Sequence, residues 1–169
     1  MVCVVVPEYK LRPAFEKDFE FVFQLNKTNM RRYVELLRGW DDAAEREDMR
    51  CGFRPGVDHI IMCGGEDIGR LSVDRYPDRI EIRHIEILPQ YQGQGIGSRI
   101  ISDILNEARE LGVPVTLTVL NLNPARRLYE RLGFRKVDEY DAGPKGIKIR
   151  MKADWSESRP SSARSVCGE

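Results

Sequence analysis

The chain has 169 residues, with 27 Lys and Arg against 27 Asp and Glu, so its formal net charge is zero. This length predicts one domain that can form a core without metal or disulfide support. The balanced charge excludes a nucleic-acid binder held by bulk electrostatics, and no apolar run approaches the roughly 20 residues of a membrane span.

The cysteines predict a reducing compartment. Cys3, Cys51, Cys63 and Cys167 form no C-x-x-C pair, so isolated thiols are expected rather than a metal site or a disulfide. The apolar residues 1–7 are too short for a signal peptide. We therefore predict a cytoplasmic protein with no metal and with neither a nucleic-acid nor a membrane partner.

The first half of the chain predicts one strand, helices and then three strands. Residues 9–13 suggest a strand, residues 14 onward and 30–37 show helical spacing, and residues 41–49 suggest a short helix capped by an Asp. Apolar alternation predicts strands over residues 57–63, 68–76 and 79–88. The short turns between these three strands predict an antiparallel meander.

The second half alternates helices and strands. A helix is predicted from about residue 95 to 111, ended by Gly112, and another over residues 124–132. Strands are predicted over residues 115–120, 134–140 and 147–152. The polar residues 153–169 suggest a disordered tail. The element order predicts an α/β (α+β) domain.

The loop over residues 92–98 is rich in glycine and lies between a predicted strand and a predicted helix. Unpaired amides at a helix start, approached closely past glycines, form an anion site suited to phosphate. A Walker loop requires a lysine that is absent, and a Rossmann fingerprint requires a different glycine spacing and a parallel sheet. A flexible loop without a ligand is the plain alternative.

Two motifs together resemble a known family. Q-x-x-G-x-G, formed by Gln92, Gly95 and Gly97, resembles the acetyl-CoA pyrophosphate loop of the GNAT superfamily of N-acetyltransferases. The segment 123–134 is similar to that family's second hallmark, N…A…Y-E-x-x-G-F. The resemblance covers residues 9–152, leaving a leader over 1–8 and the tail. It implies a single domain with a mixed, mostly antiparallel sheet, splayed between strands four and five and flanked by about four helices.

The resemblance implies acetyl-CoA as the acetyl donor, with pantetheine in the splay and pyrophosphate on the glycine loop. The asparagine that many members place seven residues before the tyrosine is Leu122 here, so we choose the neighbouring Asn123 over Asn121. A helix N-cap is its alternative role. The residues implied for the donor are Ile85, Glu86, Ile87, Gln92, Gly93, Gln94, Gly95, Ile96, Gly97, Ser98 and Asn123.

The resemblance also implies a catalytic set. Tyr129 matches the general acid that protonates the leaving thiolate, unless its ring merely packs. Glu86 is the favoured base and Glu81 the alternative, although simple alternation places them on opposite faces unless a bulge intervenes. A water chain, no base at all, or two solvated carboxylates remain open.

The acceptor is expected to be a small-molecule, protein or peptide primary amine. Tyr33 and Trp40, beside an acidic run over residues 41–48, could hold a cationic amine, or could instead form the edge of the core. The resemblance allows a homodimer. A non-catalytic acyl-CoA sensor or interaction module on the same fold is the alternative function.

Overall fold

The computed structural model describes residues 6–155. The ends of the expected leader and tail, residues 1–5 and 156–169, lie outside this range. The elements are β1 (Tyr9–Pro13), α1 (Phe19–Arg38), α2 (Asp42–Gly52), β2 (His59–Cys63), β3 (Glu66–Tyr76), β4 (Arg79–Ile87), α3 (Ile96–Leu111), β5 (Val115–Leu120), α4 (Ala125–Arg131), β6 (Arg135–Asp141) and β7 (Ile147–Ala153).

The strands form one open sheet in the order β1-β2-β3-β4-β5-β7-β6. β4 and β5 run parallel, and the other neighbours are antiparallel. The parallel ladder ends at the pair Ile82 and Leu117, although β4 continues to Ile87 and β5 to Leu120. The two strands therefore separate into a gap at their carboxyl ends.

Helices cover both faces of the sheet. Ile60 and Ile61 are adjacent in β2 and belong to different apolar clusters, so the clusters lie on opposite faces. One cluster contains the apolar stripe of α3 together with residues of α4, and the other contains Phe19, Val22 and Phe23 of α1. The gap between β4 and β5 thus opens between two helical layers.

The predicted α/β (α+β) class, the mixed and mostly antiparallel sheet, its splay and the four helices are confirmed within the described residues. The prediction of separate helical stretches before residue 38 is wrong, because no Gly or Pro interrupts α1. β7 includes Ala153, and the Trp155 indole donates to the Val113 carbonyl at 3.0 Å, so structure extends past residue 152. Among residues 6–155, no helix is long and apolar enough to cross a membrane.

Candidate active site

A bulge in β4 sets which side chains face the gap. Ser72 pairs with His84 and Val73 with Ile82, which leaves Arg83 as an extra residue. The extra residue shifts the alternation, so residues 80, 82, 85 and 87 all pack against the α3 cluster. Glu81 and Glu86 consequently share the opposite face of the sheet. The expectation from simple alternation is wrong for this reason, and the bulge that could change it is present.

The main chain of β4 presents hydrogen-bonding groups to the gap. The Leu88 amide donates to the Ile68 carbonyl of the β3 side, so by alternation Glu86 also bonds towards β3, while Ile85 and Ile87 face the gap. The Ile87 carbonyl accepts from Asn29 Nδ2 at 3.1 Å and from Gln92 Nε2 at 2.7 Å. The Ile87 amide and both main-chain groups of Ile85 remain directed at the gap. The predicted main-chain role thus fits Ile85 and Ile87 better than Glu86.

The glycine loop leads into an uncapped helix. Gly93 and Gly95 have φ of 74° and 85°, a left-handed conformation that glycine adopts without strain. No side chain caps α3 and its first turn holds no acidic residue, so the amides of Ile96, Gly97 and Ser98 are available to an anion. These features fit a pyrophosphate group. The Gln94 side chain instead donates to the Gln90 carbonyl at 2.8 Å. Gln94 does not line the cleft beside the glycine loop.

Two cavities meet at the gap. The loop cleft, of about 680 Å³, is lined by α1, the end of β4, the glycine loop and the start of α4. The α2 cavity, of about 400 Å³, is lined by α1, α2 and residues of β3, β4, β5 and β7. Both are lined by Met30, Ile85, Glu86, Asn123 and Tyr129. A donor in the loop cleft and an acceptor in the α2 cavity could therefore meet at these five residues.

Tyr129 lies at this junction with its hydroxyl uncommitted. Its ring packs at an angle against Phe134, with the ring centres 6.0 Å apart, and the residue is 8% exposed. The hydroxyl bonds no group among residues 6–155. Burial, and secondarily the Glu86 carboxylate, raise the pKa of Tyr129 to about 12. The phenol therefore stays protonated at neutral pH.

The two candidate bases differ in position. Glu86 lines both cavities, and its Oε1 accepts from Arg70 Nε at 3.0 Å and from an Arg70 terminal nitrogen at 2.7 Å. Its Oε2 accepts a longer bond from Asn26 at 3.3 Å. Glu81 lies in the paired half of β4, 3.8 Å from an Arg79 nitrogen, and lines neither cavity. The geometry favours Glu86 over Glu81.

Asn123 lies both at the start of α4 and beside the two cavities, so its position is compatible with both roles that the sequence left open. Its Oδ1 accepts from the Ala125 amide at 2.9 Å, which caps the start of α4, and the residue lines both cavities. Asn121 and Leu122 are exposed and line neither cavity. Asn123 is thus the better placed of the two asparagines.

Neither of the two aromatic residues expected at the acceptor lines the α2 cavity. Tyr33 lines the loop cleft, with the Arg32 guanidinium 4.5 Å from its ring centre. Trp40 lines neither cavity and packs against Phe23 at the edge of the α1 core, as the alternative role described. Four of the acids beside Trp40 have partners: Asp41 caps α2, and Asp42, Glu45 and Asp48 pair with Lys27, Arg38 and Lys145.

Two other residues of the site, Asn29 and Lys148, were not selected from the sequence, and Asn29 carries no recognisable local signal. Asn29 reaches the end of β4 from a position 58 residues earlier, so only the folded chain brings the two together. Lys148, which lines the α2 cavity, comes from the alternating segment IKIRMKA of β7, whose pattern does indicate one basic face. Within residues 6–155, no three potential ligands are grouped to hold a metal ion.

The sequence is similar to those of known proteins. Residues 16–134 match the model of the acetyltransferase (GNAT) family. The [ribosomal protein bS18]-alanine N-acetyltransferase of Haemophilus influenzae is 40% identical over 62 residues, which are 36% of this chain and 42% of that enzyme. An aminoalkylphosphonate N-acetyltransferase of Salmonella typhimurium is 28% identical over 146 residues, covering 78% of this chain and 88% of that one.

A solved structure supports the fold. The PaiA N-acetyltransferase of Thermoplasma acidophilum, solved in complex with coenzyme A, superposes with a TM-score of 0.66 at 12% identity, covering 88% of this chain and 99% of that one. The predicted family is therefore confirmed, and both relatives are named as N-acetyltransferases. The chain belongs to the acetyltransferase (GNAT) family.

Proposed function

We propose that this protein transfers the acetyl group of acetyl-CoA to a primary amine by direct attack. The observation that carries the proposal is the uncommitted Tyr129 hydroxyl at the junction of the two cavities. An active-site acid must be protonated and must reach the reacting atoms, and the buried phenol meets both conditions. The loop cleft then holds the donor, and the α2 cavity admits the amine.

The donor is held by main-chain groups. The amides of Ile96, Gly97 and Ser98 bind the pyrophosphate at the positive end of α3, and Ile85 and Ile87 offer the gap a strand edge for the amide groups of the pantetheine arm. Asn29 and Gln92 hold the end of this edge through the Ile87 carbonyl. Acetyl-CoA supplies an activated acyl thioester whose sulfur leaves as a thiolate.

Tyr129 stabilises the departing sulfur by donating its hydroxyl hydrogen. An alkyl thiol has a pKa of about 8.5, so complete transfer from a phenol of pKa about 12 is uphill by about 5 kcal/mol. Hydrogen-bond donation, with the proton moving only as negative charge develops on sulfur, avoids most of that cost. The Tyr129 hydroxyl is thus suited to act late in the reaction.

Glu86 receives the proton that the amine must lose. Its Oε1 accepts from Arg70 and, at 3.2 Å, from Asn26, whereas within residues 6–155 Oε2 accepts only the longer bond from Asn26 at 3.3 Å. Oε2 is therefore the oxygen available to the attacking amine, directly or through one water. The Arg70 and Asn26 contacts fix the orientation of this carboxylate at the junction.

The relatives support an amine acceptor of some kind. One is named for an alanine of a ribosomal protein and another for aminoalkylphosphonates, and both names describe N-acetylation. The chain spans only 42% of the first of these enzymes, so the acceptor is proposed here at the level of a primary amine. A cytoplasmic location and a homodimer stay predictions.

Tyr129→Phe tests the proposal. We expect kcat to fall roughly 100-fold or more, as for loss of a general acid, while acetyl-CoA still raises the melting temperature. Tyr140→Phe is the matched control, because Tyr140 is 43% exposed and lines neither cavity. Unchanged turnover in Tyr129→Phe would remove the acid role, and an absence of stabilisation by acetyl-CoA in the wild type would remove the donor assignment.

A further inference from the structure

The α2 cavity has more basic than acidic side chains. Five basic residues line it, against three acidic ones. Each acid already bonds one of the basic residues: Glu86 bonds Arg70, Glu45 bonds Arg38, and Asp48 bonds Lys145. The two remaining cations are Arg83 and Lys148. The cavity through which the acceptor is proposed to enter is therefore cationic.

Lys148 is the cation with the least compensation. Arg83 lies 3.5 Å from the Asp74 carboxylate, which Arg54 also binds, whereas Lys148 has no carboxylate partner among residues 6–155. Burial, and then the charges of Lys145 and Arg38, lower the pKa of Lys148, while the nearby Asp48 charge acts in the opposite direction. A half-buried ammonium group beside two other cations is unfavourable unless an anion completes it.

The position of Lys148 ties it to the acceptor rather than to the donor. Ile149 packs in the α3 cluster, so Lys148, its neighbour in β7, faces the α1 and α2 side of the sheet. Lys148 pairs in register with Leu120, the last residue of β5, next to the gap. It lines the α2 cavity and not the loop cleft, where the glycine loop would hold the pyrophosphate.

We propose that the acceptor is a small primary amine that also carries an oxyanion, either a carboxylate or a phosphorus oxyanion, and that Lys148 binds this oxyanion in the α2 cavity. Lys145 and Arg38 support the site with their positive charge, although each also bonds an acid. The amine nitrogen then points towards Tyr129 and Glu86, which line the same cavity. This inference rests on the proposed function and specifies its substrate class.

The same charges argue against cationic acceptors. A second ammonium group would lie among Lys148, Lys145 and Arg38 with every lining acid already bonded. The sequence suggested a cationic amine from the acidic run beside Trp40. The structure corrects that suggestion, because the acids of that run that line the cavity, Glu45 and Asp48, are paired with basic residues.

A matched acceptor panel tests the inference. It contains 3-aminopropanoate, 2-aminoethylphosphonate, propylamine, 1,3-diaminopropane and a short peptide with a free N-terminus, each assayed with acetyl-CoA by thiol release. We expect kcat/KM to be roughly 10- to 100-fold higher for at least one of the two anionic amines than for propylamine or the diamine. The two anionic compounds distinguish a carboxylate site from a phosphonate site.

Substitutions in β7 test whether Lys148 causes the preference for anionic acceptors. Lys148→Met should lower kcat/KM for the anionic acceptor roughly 10- to 100-fold, mainly through KM, and should lower kcat/KM for propylamine much less. Lys148→Arg should restore part of the loss. Lys152→Met is the control, because Lys152 lies on the same strand, pairs with Asp154 and lines neither cavity. The N-acetylated anionic product, added without acetyl-CoA, should raise the melting temperature of the wild type but not of Lys148→Met.

The outcomes separate this inference from the proposed function. Preference for propylamine, the diamine or the peptide, or equal losses in Lys148→Met for charged and neutral acceptors, would overturn the oxyanion site while leaving acetyl transfer intact. No stabilisation by acetyl-CoA and no turnover of any amine would overturn the proposed function itself.

Discussion

Breaking the Arg70–Glu86 ion pair should destabilise the protein far more than breaking a similar pair at the surface. Arg70→Met removes the guanidinium and leaves the largely buried Glu86 carboxylate without its charged partner. The side chains of Arg70 and Glu86 are only 5% and 13% exposed. The Arg75–Glu107 pair starts on the same strand, β3, but its side chains are 52% and 35% exposed.

The expected loss in the free energy of unfolding follows from these exposed fractions. Arg70 donates two bonds to Glu86 Oε1, at 3.0 and 2.7 Å, and loss of one partner of a buried pair costs about 3–5 kcal/mol, since the remaining charge is uncompensated. Arg75 also donates two bonds, at 2.6 and 2.9 Å, yet an exposed pair contributes about 0–1 kcal/mol. The double variant Arg70→Met/Glu86→Leu should recover most of the loss, because no charge then stays buried.

Urea unfolding at pH 7, followed by circular dichroism, measures all four proteins: wild type, Arg70→Met, Arg75→Met and the double variant. The expected order of the free energy of unfolding places Arg70→Met lowest and Arg75→Met close to the wild type. If Arg70→Met lost no more than Arg75→Met, or if the double variant were less stable than Arg70→Met, the argument from burial would be wrong.

Two further predictions concern stability. Burial, and then the nearby charges of Arg70 and Arg83, lower the pKa of His84 to about 3, so the folded state favours the neutral imidazole and stability should fall as pH drops below about 6.5. His84→Gln should flatten the pH profile of unfolding by about 2 kcal/mol between pH 7 and pH 5, and parallel profiles would contradict this. Trp155→Ala should lower the free energy of urea unfolding by about 2 kcal/mol, because the indole packs on the α3 cluster and donates to the Val113 carbonyl. Leu111→Ala is the control, since Leu111 is exposed. A loss in Trp155→Ala no greater than that in Leu111→Ala would show that residue 155 adds little stability.

Local sequence patterns were sufficient to predict most helices and strands and the glycine loop. Alternation, glycine stops and β-branched runs act over a few residues, and these signals placed the strands close to where they lie. The strand, the glycine loop and the uncapped start of α3 are contiguous, so the sequence alone indicated an anion site there. Tyr129 could be selected from its motif, but its position between two cavities depends on the whole fold.

The acceptor side could not be predicted in the same way, because distant segments build it. Residues of α1, α2, β3, β4, β5 and β7 line the α2 cavity. The acidic run beside Trp40 suggested a cationic ligand, and only the folded chain supplies the partners of Glu45 and Asp48. Charge along a sequence is therefore a poor guide to the charge that a ligand encounters.

The bulge at Arg83 determines which face of the sheet the following side chains of β4 take, whatever side chain the bulged residue carries. Arg83 is exposed and contacts Asp74 only at 3.5 Å, so many residue types could replace it with little loss of stability. Deleting the position would remove the bulge and leave Ile82 opposite Val73 and His84 opposite Ser72 in regular pleating, so Ile85, Glu86 and Ile87 would keep their present faces. Straightening β4 with every residue kept is the change that would exchange the faces, turning Glu86 into the apolar layer and Ile85 and Ile87 towards the α2 cavity, so the chemistry of the site depends on the bulge being kept.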